Sequence, residues 1–399
     1  MNDVISMTGP WQLEESNPHS DAQPNAQPNA QVELPPPVQG MQIAGLGTAG
    51  CKVAQLAERD MLAHGERPSV LHFDYPVPTM PPLPMKRPNG EVIDVPAEPF
   101  CRIGDVGDRR DRAKQYPLLA RRYAKLLRGT PVFEDRKLAL SGEGGGAIGA
   151  VSALDLDLNI ESILAFIAEH HRWMLGVPAT HARASDLERI AQVSLQREQT
   201  LNRPWVEVFV FGMTGATGNA LSQLLPYLVR LVLKDMGLLN VQLWGIALGP
   251  QAFKGLTPFV MHNSRALLHS LDHMARHGQR REYINGLRVD MDLPPFDQLF
   301  IIDDPTLATD DKNRVTEAAL DGFYRRAART VRLLLTTNAW DVVSARTINA
   351  REREADGDRL RWMNVLNAAT AAMDRPMIVD QAIQARQARL LETLAARLA

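Results

Sequence analysis

The chain has 399 residues, 45% of them hydrophobic, which is enough for a layered core and excludes a fibrous or wholly disordered chain. Its 44 Lys and Arg against 46 Asp and Glu leave a formal net charge of -2, a balance that marks neither nucleic acid nor a membrane surface as an obligatory partner. Two cysteines, Cys51 and Cys101, make no disulfide framework.

Together with the acidic start MNDVISMTGPWQLEE, which lacks a secretory pattern, this sets the expected location as the cytoplasm. The longest apolar runs, VEVFVFGM and VQLWGIALG, fall far short of the roughly 20 residues that span a bilayer, so no transmembrane segment is expected. Residues 1–40 carry five acidic residues, no Lys or Arg, a doubled AQPN repeat and Pro35-Pro36-Pro37, a composition that reads as a disordered arm.

From Met41 short apolar runs alternate with helical stretches, the pattern of a parallel α/β sheet with helices on both faces. MQIAGLG reads as a strand, CKVAQLAERDMLAHG as a helix, and PSVLHFDYP as a strand ending at Asp74, while residues 76–100, rich in proline, read as loop. Residues 102–128 hold nine basic residues against three acidic ones, with Leu118, Leu119, Tyr123 and Leu126 at helical spacing, which predicts one amphipathic helix with a solvated basic face. RKLAL then runs as a strand into SGEGGGAIGA, and IESILAFIAEHHRWM is a helix.

WVEVFVFG is a buried strand, GMTGATGN a Gly-rich turn and ALSQLLPYLVRLVLKDMG a helix for which Gly237 suits the C-terminal cap. NVQLWGIALG is a strand, residues 259–277 are a helix, and FDQLFIIDD is the next strand. Residues 312–337 read as one long central helix, and residues 346–399 as a short, mostly helical C-terminal region with a possible strand at PMIVD. The domain reading is therefore an arm over 1–40, an α/β domain with its central helix over 41–345, and the remainder.

Three turns share one design: a strand runs into small residues that open a helix. They are GLGTAG with Gly47, Thr48, Ala49 and Gly50; GEGGGAIG with Gly144, Gly145 and Gly146; and GMTGATGN with Thr214, Gly215, Ala216, Thr217, Gly218 and Asn219. Glycine allows close backbone approach and the amides of a helix start favour an anion, so three such turns point to a polyphosphate. GLGTAG alone also fits the start of a dinucleotide-binding turn, with Asp74 as the acid about 20 residues on, which keeps a dinucleotide-dependent oxidoreductase as an alternative. CRIGDVGD, with Gly104 and Gly107 before PLLARR, is an alternative for the second turn.

The segments GLGTAGCKVA, FVFGMTGATGNA, NVQLWGIAL, Phe253-Lys254-Gly255, NSRALLHSLDHM and PFDQLFIIDD resemble, in order and spacing, the tubulin and FtsZ superfamily, and more particularly divergent bacterial tubulin-like proteins. The resemblance covers residues 41–345. It implies binding of GTP or GDP with Mg2+, assembly with copies of the chain or a partner protein, and hydrolysis completed by an acidic residue of a neighbouring subunit. Gly215, Thr217 and Gly218 match the phosphate signature, whereas Thr214, Ala216 and Asn219-Ala220 depart from it.

Lys254 and Pro258 stand where the family has a glutamate and an arginine. Asp303 and Asp304 fall where the base edge would be read, Asp74 near the magnesium, and Asp341 of TTNAWDVV where the second catalytic acid would stand, with Asn338 in place of the first. A scaffold that binds nucleotide without turning it over is the other reading. His262, His269, His273 and His277 lie at helical spacing and read as a polar helix face.

Overall fold

The computed structural model describes residues 41–63, 68–75, 83–86, 92–95, 100–104, 109–127, 148–174, 205–238, 241–256, 260–336 and 363–367. The chain divides into two compact units, residues 1–34 and 35–399, and every described residue belongs to the second.

Five strands follow the pattern read from the sequence: β1 (Met41–Leu46), β2 (Ser69–Asp74), then, beyond β3 (Leu83–Lys86), β4 (Val92–Val95) and β5 (Phe100–Arg102), β6 (Trp205–Gly212), β7 (Val241–Leu248) and, after the hairpin β8 (Gln279–Glu282) and β9 (Arg288–Met291), β10 (Gln298–Asp303). With β5 and β11 (Met363–Asn367) they form a seven-stranded sheet in the order β11-β10-β7-β6-β1-β2-β5, in which every neighbouring pair is parallel. β6 is buried along its whole length, as a central strand covered on both faces must be, which is why WVEVFVFG reads as a continuous apolar run.

One face of the sheet, with Ile43, Val206, Val208, Trp244, Ile246 and Phe300, is covered by α1 (Gly47–Ala63) and the central helix α9 (Glu317–Thr336). α1 and α9 pack on each other, and Arg332 of α9 pairs with Asp60 of α1 at 2.6 Å. The other face, with Leu71, Phe73, Phe209 and Phe211, is covered by α6 (Ile160–Met174), α7 (Ala216–Asp235) and α8 (Val260–His277). α7 ends as foreseen: Gly237 has φ +80° and the Leu238 amide donates to the Leu233 carbonyl at 2.9 Å.

Several expectations need correction. Residues 102–128 form three short helices, α2 (Arg109–Gln115), α3 (Pro117–Arg122) and α4 (Ala124–Leu127). Pro117 forces Tyr116 into an extended conformation at φ -106° and ψ 109°, which breaks the helix. Nor is their basic face simply solvated, because Arg109 is buried against Asp155 and Arg122 pairs with the buried Asp157, both on α5 (Gly149–Leu158).

The stretch 76–100 is not all loop. β3 and β4 pair as an antiparallel ribbon, whose outer edge tolerates Pro84, and β5 begins at Phe100. The β8–β9 hairpin, which the pattern reading passed over, closes through Asn285-Gly286 with Gly286 at φ +82°. The central helix starts at Glu317 rather than near 312. Asp310 accepts the amides of Lys312 and Arg314, and Asn313 sits at φ +58°, so this stretch is a closed turn. The Thr316 hydroxyl then accepts the Ala319 amide at the helix start. Beyond α9, β11 falls in a region read as mostly helical, and PMIVD lies outside the described residues.

Candidate functional site

Counted along the sheet, the strand order runs outward in both directions from the β1–β6 pair, which makes the carboxyl ends of β1 and β6 the topological switch point where open α/β sheets hold ligands. The first and third Gly-rich turns leave those two strands. They interlock: a Cβ on Gly47, which has φ +70°, would come within 3.0 Å of the Gly218 amide nitrogen and 3.1 Å of Thr217 Cβ.

Two other glycines are required by backbone approach. A Cβ on Gly50 would lie 2.1 Å from the Val210 carbonyl oxygen, and one on Gly218 would lie 2.8 Å from that of Gly212. Gly215 is different. It is exposed, precedes α7 in an extended conformation with no side-chain cap, and a Cβ there meets nothing within 4 Å among the described residues. The start of α7 therefore has free space at Gly215, beside two turns whose positions are fixed by packing.

Asp74 joins the two turns. The Thr48 hydroxyl donates to it at 2.9 Å, the Tyr75 amide donates at 2.8 Å, and the Thr217 hydroxyl donates as well. The carboxyl is only 3% exposed, and burial raises its pKa against the lowering effect of those donors. Three accepted bonds leave one of about four acceptor positions on the carboxylate. That suits an outer contact to a magnesium-bound water better than a metal cage. Among the described residues no group of three or more His, Cys, Asp or Glu is arranged to hold a metal. Magnesium that arrives with phosphates needs no such cage.

The remaining sequence-derived residues divide. Gly144, Gly145, Gly146 and Asp341 lie outside the described residues, as does Pro258. The described end of the second turn, Gly149 at the start of α5, abuts the third turn, its Cβ position 3.1 Å from Asn219 Oδ1. Asn219 itself braces the turn, donating to the carbonyls of Met213 at 3.3 Å and Asn263 at 3.2 Å. Asn263 returns the bond, donating to the Thr214 carbonyl at 2.9 Å, so α8 holds the loop from one side. Asn263 was visible in the sequence only as part of a longer segment.

At the alternative turn, Gly104 packs on the Asp155 side chain, whose Cβ, Cγ and Oδ2 lie 2.8 to 3.0 Å from the Gly104 Cβ position, and Gly107 is outside the described residues. Asp303 accepts the amides of Gln251 at 3.0 Å and of Asp304 at 3.1 Å, holding the 3-10 turn Pro250–Phe253. Asp304 accepts from Thr306 and pairs with Arg326 at 2.7 Å. Both carboxylates are thus engaged within the chain, two strands from β6.

Beside the switch point lies a buried polar cluster that sequence reasoning missed. Asp155 accepts from Arg109 Nε at 2.7 Å and from the Tyr75 hydroxyl. Burial pushes its pKa up to about 6, opposed by Arg109. Cys51, under the first turn, donates to the Gly45 carbonyl, and burial together with Asp74 raises its pKa, which makes it an inert thiol.

No protein-family profile and no curated protein matches this chain. Among solved structures it is similar to CetZ1 from Haloferax volcanii, a GDP-bound monomer, at 12% identity and TM-score 0.34 over 72% of this chain and 57% of that one. It is also similar to CetZ2 from Haloferax volcanii, a GTPγS-bound protofilament, at 12% and 0.34 over 76% and 62%. A third is TubZ of Bacillus thuringiensis serovar israelensis, a GTPγS-form protofilament, at 13% and 0.31 over 75% and 56%. CetZ and TubZ are members of the tubulin/FtsZ superfamily, and the chain spans about three-fifths of their length or less.

Proposed function

We propose that this chain binds GTP at the β1–β6 switch point and assembles with copies of itself or with a partner protein. The observation that carries the reading is the interlocked pair of turns, 47–50 and 213–218, with the open backbone at Gly215 between them. Amides of both turns hold the phosphates, and Asp74 orients a water on the accompanying magnesium. The preference for guanine rests on the sequence resemblance.

Asp74 weighs against a dinucleotide cofactor. That reading needs an acid free to bond a ribose hydroxyl, whereas this one is buried and bonded to Thr48, Thr217 and the Tyr75 amide. No helix among the described residues is long and apolar enough to cross a membrane.

Thermal melting of the full chain with magnesium and GTP, ATP or NAD tests the proposal. GTP at 100 times its Kd stabilises by about 2.7 kcal/mol by mass action. A shift with ATP or NAD and none with GTP contradicts it. Asp341 is proposed as the acid that a neighbouring subunit supplies for hydrolysis. Turnover per subunit then rises with protein concentration, and Asp341→Ala lowers it by about 100-fold or more while leaving binding unchanged. A flat concentration dependence removes this step. Absence of any turnover favours a scaffold that binds GTP as a structural ligand.

A further inference from the structure

The histidines of α8 play no part in the nucleotide reading. His262, His269, His273 and His277 are all exposed, while Val260, Ser264, Leu267, Leu271, Met274 and Ala275 form the buried side of the helix. From His269 onward the spacing is four residues, which places consecutive side chains one above another on one face. Spacing alone is satisfied by any polar helix face.

The structure adds a distance. The rings of His273 and His277 have centroids 4.6 Å apart and planes 49° apart. A cation about 2.0–2.1 Å from one nitrogen of each ring, with the two bonds near a right angle, puts the centroids about 4.5 Å apart. The two rings already stand at a chelating separation. Among the described residues neither ring is hydrogen-bonded or ion-paired, so both keep a lone pair available. The neighbouring cation, Arg276, is paired with Asp272 at 2.9 Å, which reduces its repulsion of a metal ion.

We infer that His273 and His277 form a two-point chelate for a late first-row divalent cation, of the class of Cu2+, Ni2+ or Zn2+, on the outer face of α8. Imidazole pairs suit these ions, with Cu2+ bound most tightly in the usual order. No third protein ligand is in place among the described residues, so water completes the coordination. The site is separate from the switch point and does not depend on GTP binding.

The test is a calorimetric titration of the full chain with CuCl2 and with ZnCl2, repeated on His273→Ala, His277→Ala and His262→Ala. The two rings act as one bidentate ligand, so losing either weakens the tightest equivalent by about 100-fold. His262→Ala leaves it unchanged. In electron paramagnetic resonance the bound Cu2+ shows coupling to two nitrogens in the wild type and to one in either chelate variant. Wild-type binding retained by His273→Ala or His277→Ala, or no binding by the wild type, overturns the inference. Circular dichroism on each variant separates loss of the site from loss of the helix.

Discussion

The two ends of the sheet bury polar groups in opposite ways. At the carboxyl end Asp74 has three donors, and glycines let the turns close on one another, with free space at Gly215 between them. At the amino end Gln42 stands in register between Ser69 and Glu207, fully buried, and among the described residues both its amide atoms lack a hydrogen-bond partner. There Glu207 meets His171 at 3.2 Å through one oxygen, and among the described residues its other oxygen and the Trp205 indole N–H have no partner. His170, which meets Ser69 at 2.5 Å, has its pKa lowered to about 3, chiefly by burial. An unmet buried polar atom costs about 1–3 kcal/mol, so Gln42, Glu207 and Trp205 hold the amino end at a cost, while Asp74 is met and, beside the carboxyl end, Arg109 Nη2 is unmet among the described residues.

The largest expected effect that separates the two ends is at Gly50. Its Cβ position, 2.1 Å from a backbone oxygen that cannot rotate away, makes Gly50→Ala cost on the order of 3 kcal/mol or more, read by urea unfolding. Gly215→Ala, two turns away in the same site, costs less than about 1 kcal/mol. Equal costs would mean that Gly50 is not held against the backbone of β6.

Next comes pH. Because burial raises the folded-state pKa of Asp155 from 3.8 to about 6, the folded chain holds that proton more tightly than the unfolded one. Its contribution to stability is full below about 3.8 and is lost as the pH rises to about 6, and Asp74 acts in the same direction. Asp155→Asn therefore flattens the fall in urea midpoint between pH 4 and 6 relative to the wild type. An unchanged slope would show that Asp155 is ionised throughout. The smallest effect is at the other end: Gln42→Leu removes two unmet polar atoms and raises stability by about 1 kcal/mol or leaves it unchanged. A clear loss would reveal a partner for Gln42.

Much of the fold was legible because burial on both faces writes a continuous apolar run, as in β6, and because chain punctuation is local, as at Gly237. The hairpin at Asn285-Gly286 carried an equally local signal. What was not legible depends on distant partners. Arg109 and Arg122 read as a basic surface because their carboxylates, Asp155 and Asp157, lie 46 and 35 residues further along the chain. The site shows the same limit. Gly50, Gly215 and Gly218 look alike in the sequence, and only packing separates the two that close the turns from the one that faces open space. Asp303 and Asp304 stand at the carboxyl end of β10, yet their hydrogen bonds could not be read from the sequence.

That division among the glycines gives the most direct test. The affinity of the full chain for GTP with magnesium is measured by calorimetry for the wild type and for Gly215→Leu. The variant's unfolding midpoint is recorded alongside. The account predicts that the wild type binds, that the variant folds with nearly unchanged stability because its side chain enters open space, and that binding is lost because the phosphates need that space. A stable Gly215→Leu protein that binds GTP as tightly as the wild type would contradict the assignment of the phosphates to the β1–β6 switch point.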